Sequence, residues 1–528
     1  MKKVSRIITS VATLAMAGVM AACSGGGGKG GSGTSYKFDF WTGFGTDYTS
    51  AIEGVVNHYN ELNSGKIELV HTRKKDYNTL RTEVLNSRSQ KAYPNFTCGY
   101  PDHFADYNEE KFLLSLDTYI ERYDEEHKSE LQAKGYNSII DDYYPEYMKE
   151  NKEIAYDDEG NALTVGVPFN KSTEVLVTNG FYFDFFKEKA ANPANIKVPT
   201  TWEEVATVSA EVQNVVTTLD LTNADNKYII GTISADKKSA SGFRVSSTDA
   251  VTGSETVIQD ISNLTTATPF YTLGYDSGEN AFITLLHQWV VPYTTEADGG
   301  KALFWKSENQ AATSAVLEYF RTLNAAGAFA VPEVYDESQL FCTKALEQGR
   351  CLFTVGSSGG LSKPKFKDYR LRISAIPYHQ GGEKKVISQG TSLGLLNKYV
   401  NKETYYDEMY NAFCAMVDLT TGDLQAEWVT TTGYFPSSKT AYNSKAYQDL
   451  LTNTNPTRLE QLYRDAGTVN GSTYVSAQGW TKFVDPGFPA SNSIRVNVGD
   501  VLKKVCKTTD SVSDIMQSAW NAIDAKLK

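Results

Sequence analysis

The sequence predicts an α/β fold divided into two lobes or more. Its 528 residues exceed what one hydrophobic core usually serves, and hydrophobic residues make up 41% of the composition, which is enough to fill several cores. Strand and helix patterns also alternate along the first part of the chain. This alternation indicates a parallel sheet with helices on both faces.

The alternation begins at residue 36. Large side chains alternate from Tyr36 to Trp41, as in a short strand, and apolar residues at helical spacing predict a helix from Asp47 to Asn63 that stops at Ser64-Gly65. The βαβαβ unit is completed by a strand at residues 67–71, a helix capped by Asp76 and a strand at residues 95–100.

The ends of these strands are candidate ligand contacts. Ligands of open α/β sheets bind beyond the carboxyl ends of the strands. Trp41 and Phe44 follow the first predicted strand, and Tyr100 and Asp102 follow the third. Each segment places an aromatic ring beside a polar group, which suits a hydroxylated ligand. The alternative is that Trp41 and Tyr100 are core residues at strand ends.

The first residues have the layout of an export signal. A basic start precedes an apolar run at residues 7–22, which is short for a membrane span. Ala21-Ala22 before Cys23 resembles a bacterial lipobox, in which the thiol is acylated and the leader is removed. We therefore expect a signal peptide at 1–22 and a lipid-anchored, glycine-rich tether at 23–34. An ordinary signal peptide with an incidental cysteine is the alternative.

Charge and cysteine content narrow the class of protein further. A net charge of −12 argues against nucleic acid or anionic lipid as a partner. Five cysteines follow Cys23, an odd number that cannot be fully paired within the chain, so a disulfide scaffold is not expected. We expect the folded body to lie at the bacterial cell surface or periplasmic face, held to the membrane by lipid.

Signals for an enzyme are weak. GSSGG at residues 356–360 fits a nucleophile elbow with Ser358, but His379 is the only downstream histidine, and Asp368 is the sole aspartate between the two. The histidines show no metal-ligand spacing, so neither a metal nor a cofactor is expected. Among 63 acidic residues nothing singles out a catalytic pair. A surface-anchored glycoside hydrolase stays open as an alternative of a different class.

Several motifs together resemble one family. They are VPFNKSTEVLVTN (167–179), PTTWEEV (199–205), ALEQGRCLFTVGSSG (345–359), ISAIPY (373–378), SQGTSLGLL (388–396) and TTGYFPSS (431–438). In this order they resemble the extracellular solute-binding proteins, family 1, of ABC transporters. The resemblance implies a two-lobed, periplasmic-binding-protein-like fold of class II type, a ligand cleft between the lobes, delivery to a membrane permease, and no catalysis.

Within that family the motifs are most similar to the sugar and glycerol-3-phosphate-binding branch. The resemblance implies ligand contacts at Ser172 or Thr173, Ser357 or Ser358, Gly390, Tyr434 and Arg495. Hydroxyls and a backbone amide suit polyol oxygens, and Arg495 can grip an anion with two hydrogen bonds. The alternative for Arg495 is a surface ion pair.

Departures from the branch favour a sugar over a phosphate. The segment YDSGENAF, residues 275–282, lacks the tryptophans usual there, and Val177-Thr178 replaces an aromatic pair. We therefore expect a sugar or oligosaccharide stacked on Trp41, Phe44, Tyr275 or Tyr434. Glycerol 3-phosphate or a glycerophosphodiester is the alternative ligand.

The resemblance also implies a division of the chain. We expect lobe 1 at residues 35–166 and 377–425, and lobe 2 at 167–376 and 426–528. The Ser/Thr-rich stretch 237–268 is expected to be a surface excursion of the second lobe.

Overall fold

A computed structural model describes most of the chain after residue 34. The described residues are 35–152, 154–220, 222, 228–233, 240–241, 247–248, 255–260, 270–295, 297, 300–336, 341–361, 371–398, 405–454, 456–471 and 479–527. The predicted signal peptide, Cys23 and the tether lie outside these residues.

Strands and helices alternate through the described residues. The strands are β1 (Tyr36–Thr42), β2 (Ile67–Arg73), β3 (Phe96–Gly99), β4 (Ala155–Tyr156), β5 (Ala162–Leu163), β6 (Val167–Asn179), β7 (Tyr228–Ile233), β8 (Ala240–Ser241), β9 (Ser247–Thr248), β10 (Glu255–Asp260), β11 (Tyr271–Tyr275), β12 (Thr294–Thr295), β13 (Lys301–Ala302), β14 (Phe329–Ala330), β15 (Cys351–Ser357), β16 (Leu371–Ser374), β17 (Lys385–Leu395) and β18 (Thr481–Phe483).

The helices are α1 (Thr49–Leu62), α2 (Tyr77–Asn86), α3 (Pro101–Glu109), α4 (Asp117–Glu126), α5 (Lys128–Ala133), α6 (Pro145–Lys149), α7 (Gly180–Lys189), α8 (Trp202–Thr218), α9 (Gly278–Gln288), α10 (Gln310–Ala325), α11 (Pro332–Tyr335), α12 (Cys342–Glu347), α13 (Tyr405–Thr420), α14 (Gly422–Thr432), α15 (Lys439–Tyr442), α16 (Lys445–Thr452), α17 (Arg458–Asn470), α18 (Ser491–Lys507) and α19 (Val512–Leu527).

One large sheet organises the described part of the chain. Its strand order is β14-β11-β15-β6-β17-β3-β1-β2, with β16 paired to β6 and β18 paired to β17. β1 lies between β2 and β3 and runs parallel to both. The predicted parallel βαβαβ unit is therefore confirmed.

Two long strands cross from one half of this sheet to the other. In its first half β6 pairs antiparallel with β17, and in its second half it pairs with β15 and β16. β17 in turn pairs with β3 through its last residues. The ladder between β6 and β17 is irregular between Thr391 and Ser392. The two halves of the sheet are thus joined by shared strands.

The side chains form two hydrophobic clusters, and β6 contributes to both. Val175 and Val177 belong to the cluster around β1, α1 and α14, whereas Leu176 belongs to the cluster around α8, α9 and α18. Successive side chains of a strand point to opposite faces, which explains this division. The predicted lobe boundary at residue 425 falls inside α14, whose Trp428 packs on Phe169 at 5.5 Å. The lobe boundaries themselves stay a prediction.

The predicted helix pattern and helix cap of the βαβαβ unit are both found in the structure. The apolar stripe of α1 is buried at Ile52, Val55, Val56 and Tyr59. The Asp76 side chain accepts a hydrogen bond from the backbone N–H of Thr79 at 2.7 Å, which caps α2 as predicted.

Two further helix ends are set by neighbouring residues. Thr201 caps α8 by accepting from the backbone N–H of Glu204, and the Glu204 carboxylate accepts in turn from the backbone N–H of Thr200. Gly433, at φ +79°, ends α14, the helix that carries Trp428. Phe413 lies on the preceding helix α13, which ends at Thr420.

The described residues also bear on the cysteines, the Ser/Thr-rich stretch and the question of a membrane-spanning helix. Cys98, Cys342, Cys351, Cys414 and Cys506 all lie in the described residues, and no disulfide joins them. The described parts of the Ser/Thr-rich excursion, β8, β9 and β10, form a small antiparallel sheet with β7. Among the described helices none is both long and apolar enough to cross a bilayer.

The crossing strands predict a stability effect at Gly390. Its φ is +109°, and a Cβ atom there would lie 1.7 Å from the carbonyl oxygen of Asn170 on β6. We expect Gly390→Ala to lower the free energy of unfolding by at least about 3 kcal/mol, since strain and a backbone clash act together. Urea denaturation followed by circular dichroism measures this loss.

Gly381→Ala is the matched control. Gly381 has φ +89°, but a Cβ atom there meets nothing within 4 Å, so only the backbone strain of about 1–2 kcal/mol applies. Equal losses in the two variants would show that the approach of β6 to β17 is not tight at Gly390.

Candidate ligand-binding site

The carboxyl ends of strands from both halves of the sheet meet at one place. Trp41 is the next-to-last residue of β1, Tyr100 directly follows β3, and Ser357 is the last residue of β15. One hydrogen bond joins the two sides: the Asn492 amide donates to the Asp102 carboxylate at 3.0 Å. The candidate site therefore lies between the lobes.

Half-buried aromatic rings line one side of the candidate site. Tyr77 and Tyr100 have ring centroids 5.0 Å apart, and the Asn170 amide donates to the Tyr77 hydroxyl at 3.4 Å. Tyr434 stacks on Trp428 at 5.8 Å. Burial raises the pKa of Tyr100 and of Tyr434, so both hydroxyls stay protonated at neutral pH and can donate hydrogen bonds.

Trp41 is half-buried and carries a cation on one face. The Lys74 ammonium lies 3.6 Å from the centroid of the Trp41 ring. A sugar stacking on Trp41 would use the other face or displace this lysine.

Two predicted aromatic contacts lie in the interior. Phe44 is 1% exposed and packs on Trp428 at 4.8 Å. Tyr275 is fully buried, and its hydroxyl donates to the Glu174 carboxyl. Neither ring offers an exposed face here, so direct stacking on them stays a prediction.

The predicted hydroxyl residues do come together where β6 meets β15. The Ser357 hydroxyl donates to Ser172 Oγ at 3.2 Å, and the Thr173 backbone N–H donates to Ser358 Oγ at 3.4 Å. The Thr173 hydroxyl donates to the Ile387 carbonyl at 2.6 Å. Ser357 is the half-exposed member of this group, so its hydroxyl is the most accessible to a ligand.

Gly390 lies deeper, beside a buried ion pair. It stands opposite Lys171 in the ladder, and the Lys171 ammonium donates to the Gly390 carbonyl at 3.3 Å. Lys171 is also paired with Glu150, and both side chains are almost completely buried. Burial raises the pKa of Glu150, and the charge of Lys171 opposes that shift.

Arg495 is held by two partners of its own lobe. Its guanidinium donates to Asp485 and to the amide oxygen of Asn280, each at 2.7 Å. Burial raises the pKa of Asp485 to about 6, although Arg495 opposes this shift. Burial would also raise the pKa of Asp102, but His103 in its protonated form and the charge of Arg495 outweigh burial and lower it. Asp102 is thus ionised at neutral pH.

Glu174 is a buried carboxyl at the centre of the second-lobe side. Burial raises its pKa to about 8, the hydrogen bonds from Tyr275 and Asn280 oppose the shift, and the neighbouring Asp276 adds to it. Glu174 is therefore mainly protonated at neutral pH.

The site includes residues that the sequence interpretation did not select. Tyr77 lies a few residues beyond the end of β2, so the strand-end rule applied to the second strand would have found it. Glu174 stands inside the quoted segment VPFNKSTEV. Asn492 and Asn280 carry no signal in the sequence, because their partners are 390 and 215 residues away.

Comparison with protein families gives one match that covers most of the chain. Residues 54–455 match the profile described as bacterial extracellular solute-binding protein. No curated protein matches the sequence significantly.

Solved structures share the fold at low sequence identity. The GacH receptor of Streptomyces glaucescens GLA.O, solved unliganded and with acarbose, is 13% identical with a TM-score of 0.60, covering 93% of this chain and 97% of that chain. Lmo0181 from Listeria monocytogenes, in complex with cycloalternan, is 12% identical with a TM-score of 0.61, covering 94% and 99%. UgpB from Mycobacterium tuberculosis, in complex with glycerophosphocholine, is 14% identical with a TM-score of 0.59, covering 93% and 98%. The expected two-lobed, periplasmic-binding-protein-like fold is confirmed.

The raised pKa of Glu174 predicts a pH-dependent stability. The folded state holds this proton up to about pH 8, whereas the unfolded chain releases it near the ordinary value of 4.5. Stability therefore falls as pH rises between these values, by up to about 1.4 kcal/mol per pH unit for one proton. We expect Glu174→Gln to flatten this slope between pH 6 and 8 in urea denaturation, above the range where Asp485 contributes.

Glu204→Gln is the control for this slope. Burial of Glu204 is outweighed by Lys197 and Thr200, which lower its pKa to about 2. Its contribution is present above about pH 4.5 and is lost as pH falls through 2, so this variant keeps the slope between pH 6 and 8. An unchanged slope in Glu174→Gln would show that Glu174 is ionised in the folded protein.

Proposed function

Because the chain belongs to the bacterial extracellular solute-binding proteins, we propose that it captures a carbohydrate between its lobes for the permease of an ABC importer. The observation that carries the proposal is the row of half-buried rings, Trp41, Tyr77, Tyr100 and Tyr434, beside the serine hydroxyls at the strand junction. Aromatic faces pack on the apolar faces of sugar rings, and hydroxyls bind their oxygens.

The structural neighbours support this ligand class. Two of the compared proteins are described with acarbose and with cycloalternan, which are carbohydrate ligands. A third is described with glycerophosphocholine, so a glycerophosphodiester is the second candidate. We favour the sugar because the guanidinium of Arg495 already binds Asp485 and Asn280, and an anionic ligand would have to compete with them.

We propose the ligand contacts of the sequence interpretation, extended by one tyrosine. The proposed contacts are Trp41, Phe44, Tyr100, Asp102, Ser172, Thr173, Tyr275, Ser357, Ser358, Gly390, Tyr434 and Arg495, with Tyr77 added. Residues of this set stand on both lobes, so a bound sugar would favour the closed arrangement, in which all contacts form together.

The proposed role needs no chemistry on the sugar. Ser358 accepts a hydrogen bond from the Thr173 backbone, and His379 Nδ1 lies 2.9 Å from the Glu203 carboxylate. Ser358, the candidate nucleophile, and His379, its candidate partner, are thus each bonded to a different group and not to one another. A glycoside hydrolase would release product from the sugar that it binds, whereas the proposed receptor returns it unchanged.

We further propose that acylated Cys23 anchors the receptor outside the cell membrane. The support is the lipobox-like Ala21-Ala22-Cys23 and the glycine-rich stretch that follows it. A lipid on a slack tether would keep the receptor beside its permease while letting it turn.

A ligand screen tests the proposed function. We expect neutral oligosaccharides to raise the melting temperature of the purified protein, because a ligand at about a hundredfold its dissociation constant adds about 2.7 kcal/mol to stability. We expect chromatography to return the sugar intact. A shift confined to glycerol 3-phosphate and glycerophosphodiesters, or release of hydrolysis products, would contradict the proposal.

Tyr434→Ala tests the site within the same screen. Removing the half-buried ring should lower the affinity for the strongest-binding sugar by about tenfold or more, as measured by isothermal titration. Tyr442→Ala is the matched control, because Tyr442 is 41% exposed on α15 and is not one of the rings proposed to bind the sugar. Unchanged affinity with a lower melting temperature would make Tyr434 a core residue.

Cys23→Ser tests the anchor. Without a thiol to acylate, we expect the protein to leave the membrane fraction of expressing bacteria, whereas Cys506→Ser should stay there, since Cys506 is a partly buried residue of α18. Retention of the Cys23→Ser protein in membranes would point to an uncleaved apolar leader.

A further inference from the structure

Arg495 stands among more carboxylates than it can neutralise. Asp485 accepts its hydrogen bond at 2.7 Å. Asp102, on the opposite lobe, and Glu279, on the first turn of α9, also lie within the electrostatic range of Arg495. One guanidinium therefore faces three carboxylates at the junction of α3, α9 and α18.

Neighbouring groups do not balance this negative charge. Burial lowers the pKa of His103, which leaves it neutral at pH 7 although Asp102 opposes the shift. The Arg81 guanidinium is engaged by the carboxylate of Asp106 at 2.5 Å. The Glu174 carboxyl is protonated and adds no charge of either sign. The junction thus keeps a net negative charge in a poorly solvated place.

Among the described residues, two polar atoms at this junction have no hydrogen-bond partner. The first is the Tyr293 hydroxyl, on a side chain that is 2% exposed; Asp485, Arg495 and Asp102 act on it electrostatically. The second is His103 Nδ1, also on a side chain that is 2% exposed. Buried polar atoms are nearly always paired. Each of these two atoms therefore has an unused hydrogen-bonding capacity.

We propose that the cleft accepts carbohydrates that are neutral or carry an amine, rejects phosphorylated or carboxylated ones, and owes this selectivity to Asp485, which occupies Arg495. The proposal rests on the proposed function, since it concerns the same cleft. A ligand anion would have to displace Asp485 and would then meet Asp102 and Glu279 as like charges. A ligand ammonium would find these carboxylates already in place.

Asp485→Asn tests this selectivity, with glycerol 3-phosphate as the anionic probe. The wild-type protein should show no thermal shift with the probe at low ionic strength. Asp485→Asn frees Arg495 from its carboxylate and removes one negative charge, so we expect binding that salt weakens. The double variant Asp485→Asn/Arg495→Gln should lose that binding again.

Asp449→Asn is the matched control. It changes the net charge by the same amount, but Asp449 is exposed on α16 and pairs with exposed Lys445. It should leave the response to glycerol 3-phosphate unchanged. Should Asp485→Asn fold poorly, Asp102→Asn removes another like charge from the junction while Asp485 still occupies Arg495, so it should let the probe bind detectably but weakly.

A matched sugar series gives the second measurement on the wild-type protein. We expect glucosamine to bind at least as well as glucose, and glucose 6-phosphate to bind about tenfold more weakly or not at all. Binding of glycerol 3-phosphate by the wild type, or no response from either Asp variant, would overturn the proposal.

The outcomes separate this proposal from the proposed function. Equal binding of glucose and its phosphate would leave carbohydrate capture standing and remove charge selection. If no neutral sugar binds but Asp485→Asn gains glycerol 3-phosphate, carbohydrate capture fails and the role of Asp485 stands.

Discussion

The pairing of β6 with β17 is the constraint on which the rest of the structure depends. These strands belong to both halves of the sheet, and between them lies the buried pair of Lys171 and Glu150. A buried ion pair adds little net stability, but removing one partner leaves an isolated buried charge, which is strongly unfavourable. Lys171 therefore fixes β6 against α6, and its bond to the Gly390 carbonyl fixes β17 as well. One side chain thus links β6, β17 and the segment after α6.

Several parts of the candidate site are attached to consecutive residues of this one strand. Asn170 donates to Tyr77, the Lys171 carbonyl accepts from Phe435 next to Tyr434, and Ser172 accepts from Ser357. Thr173 donates to Ser358, and Glu174 accepts from Tyr275. Because side chains of a strand alternate between faces, such a row can reach both lobes. A shift of β6 by one residue would separate every one of these partners.

Features that depend on neighbouring residues could be predicted from the sequence, whereas contacts between residues far apart in the chain could not. The βαβαβ unit followed from the spacing of Ile52, Val55 and Tyr59 and from the cap at Asp76, which involve neighbours a few residues apart. Buried polar residues of β6 could be quoted as a motif, but their side chains bind partners up to 221 residues away in the sequence. Arg495 shows the same limit: its residue type suggested an anion, and only the fold brings Asn280 and Asp485 to it.

The negative charge at the cleft limits the kinds of interaction from which such a receptor could gain its binding energy. A neutral sugar is not steered by the field of a chain with net charge −12, and it gains nothing from Coulomb attraction in the cleft. Its affinity must then come from stacking and hydrogen bonds, which are short-ranged and directional. Contacts of that kind form on both lobes only after closure, whereas a charged ligand could be held by one lobe alone. The acidic junction at Asp102 and Asp485 would thus couple binding to closure, because it removes the ligands that could bind without it.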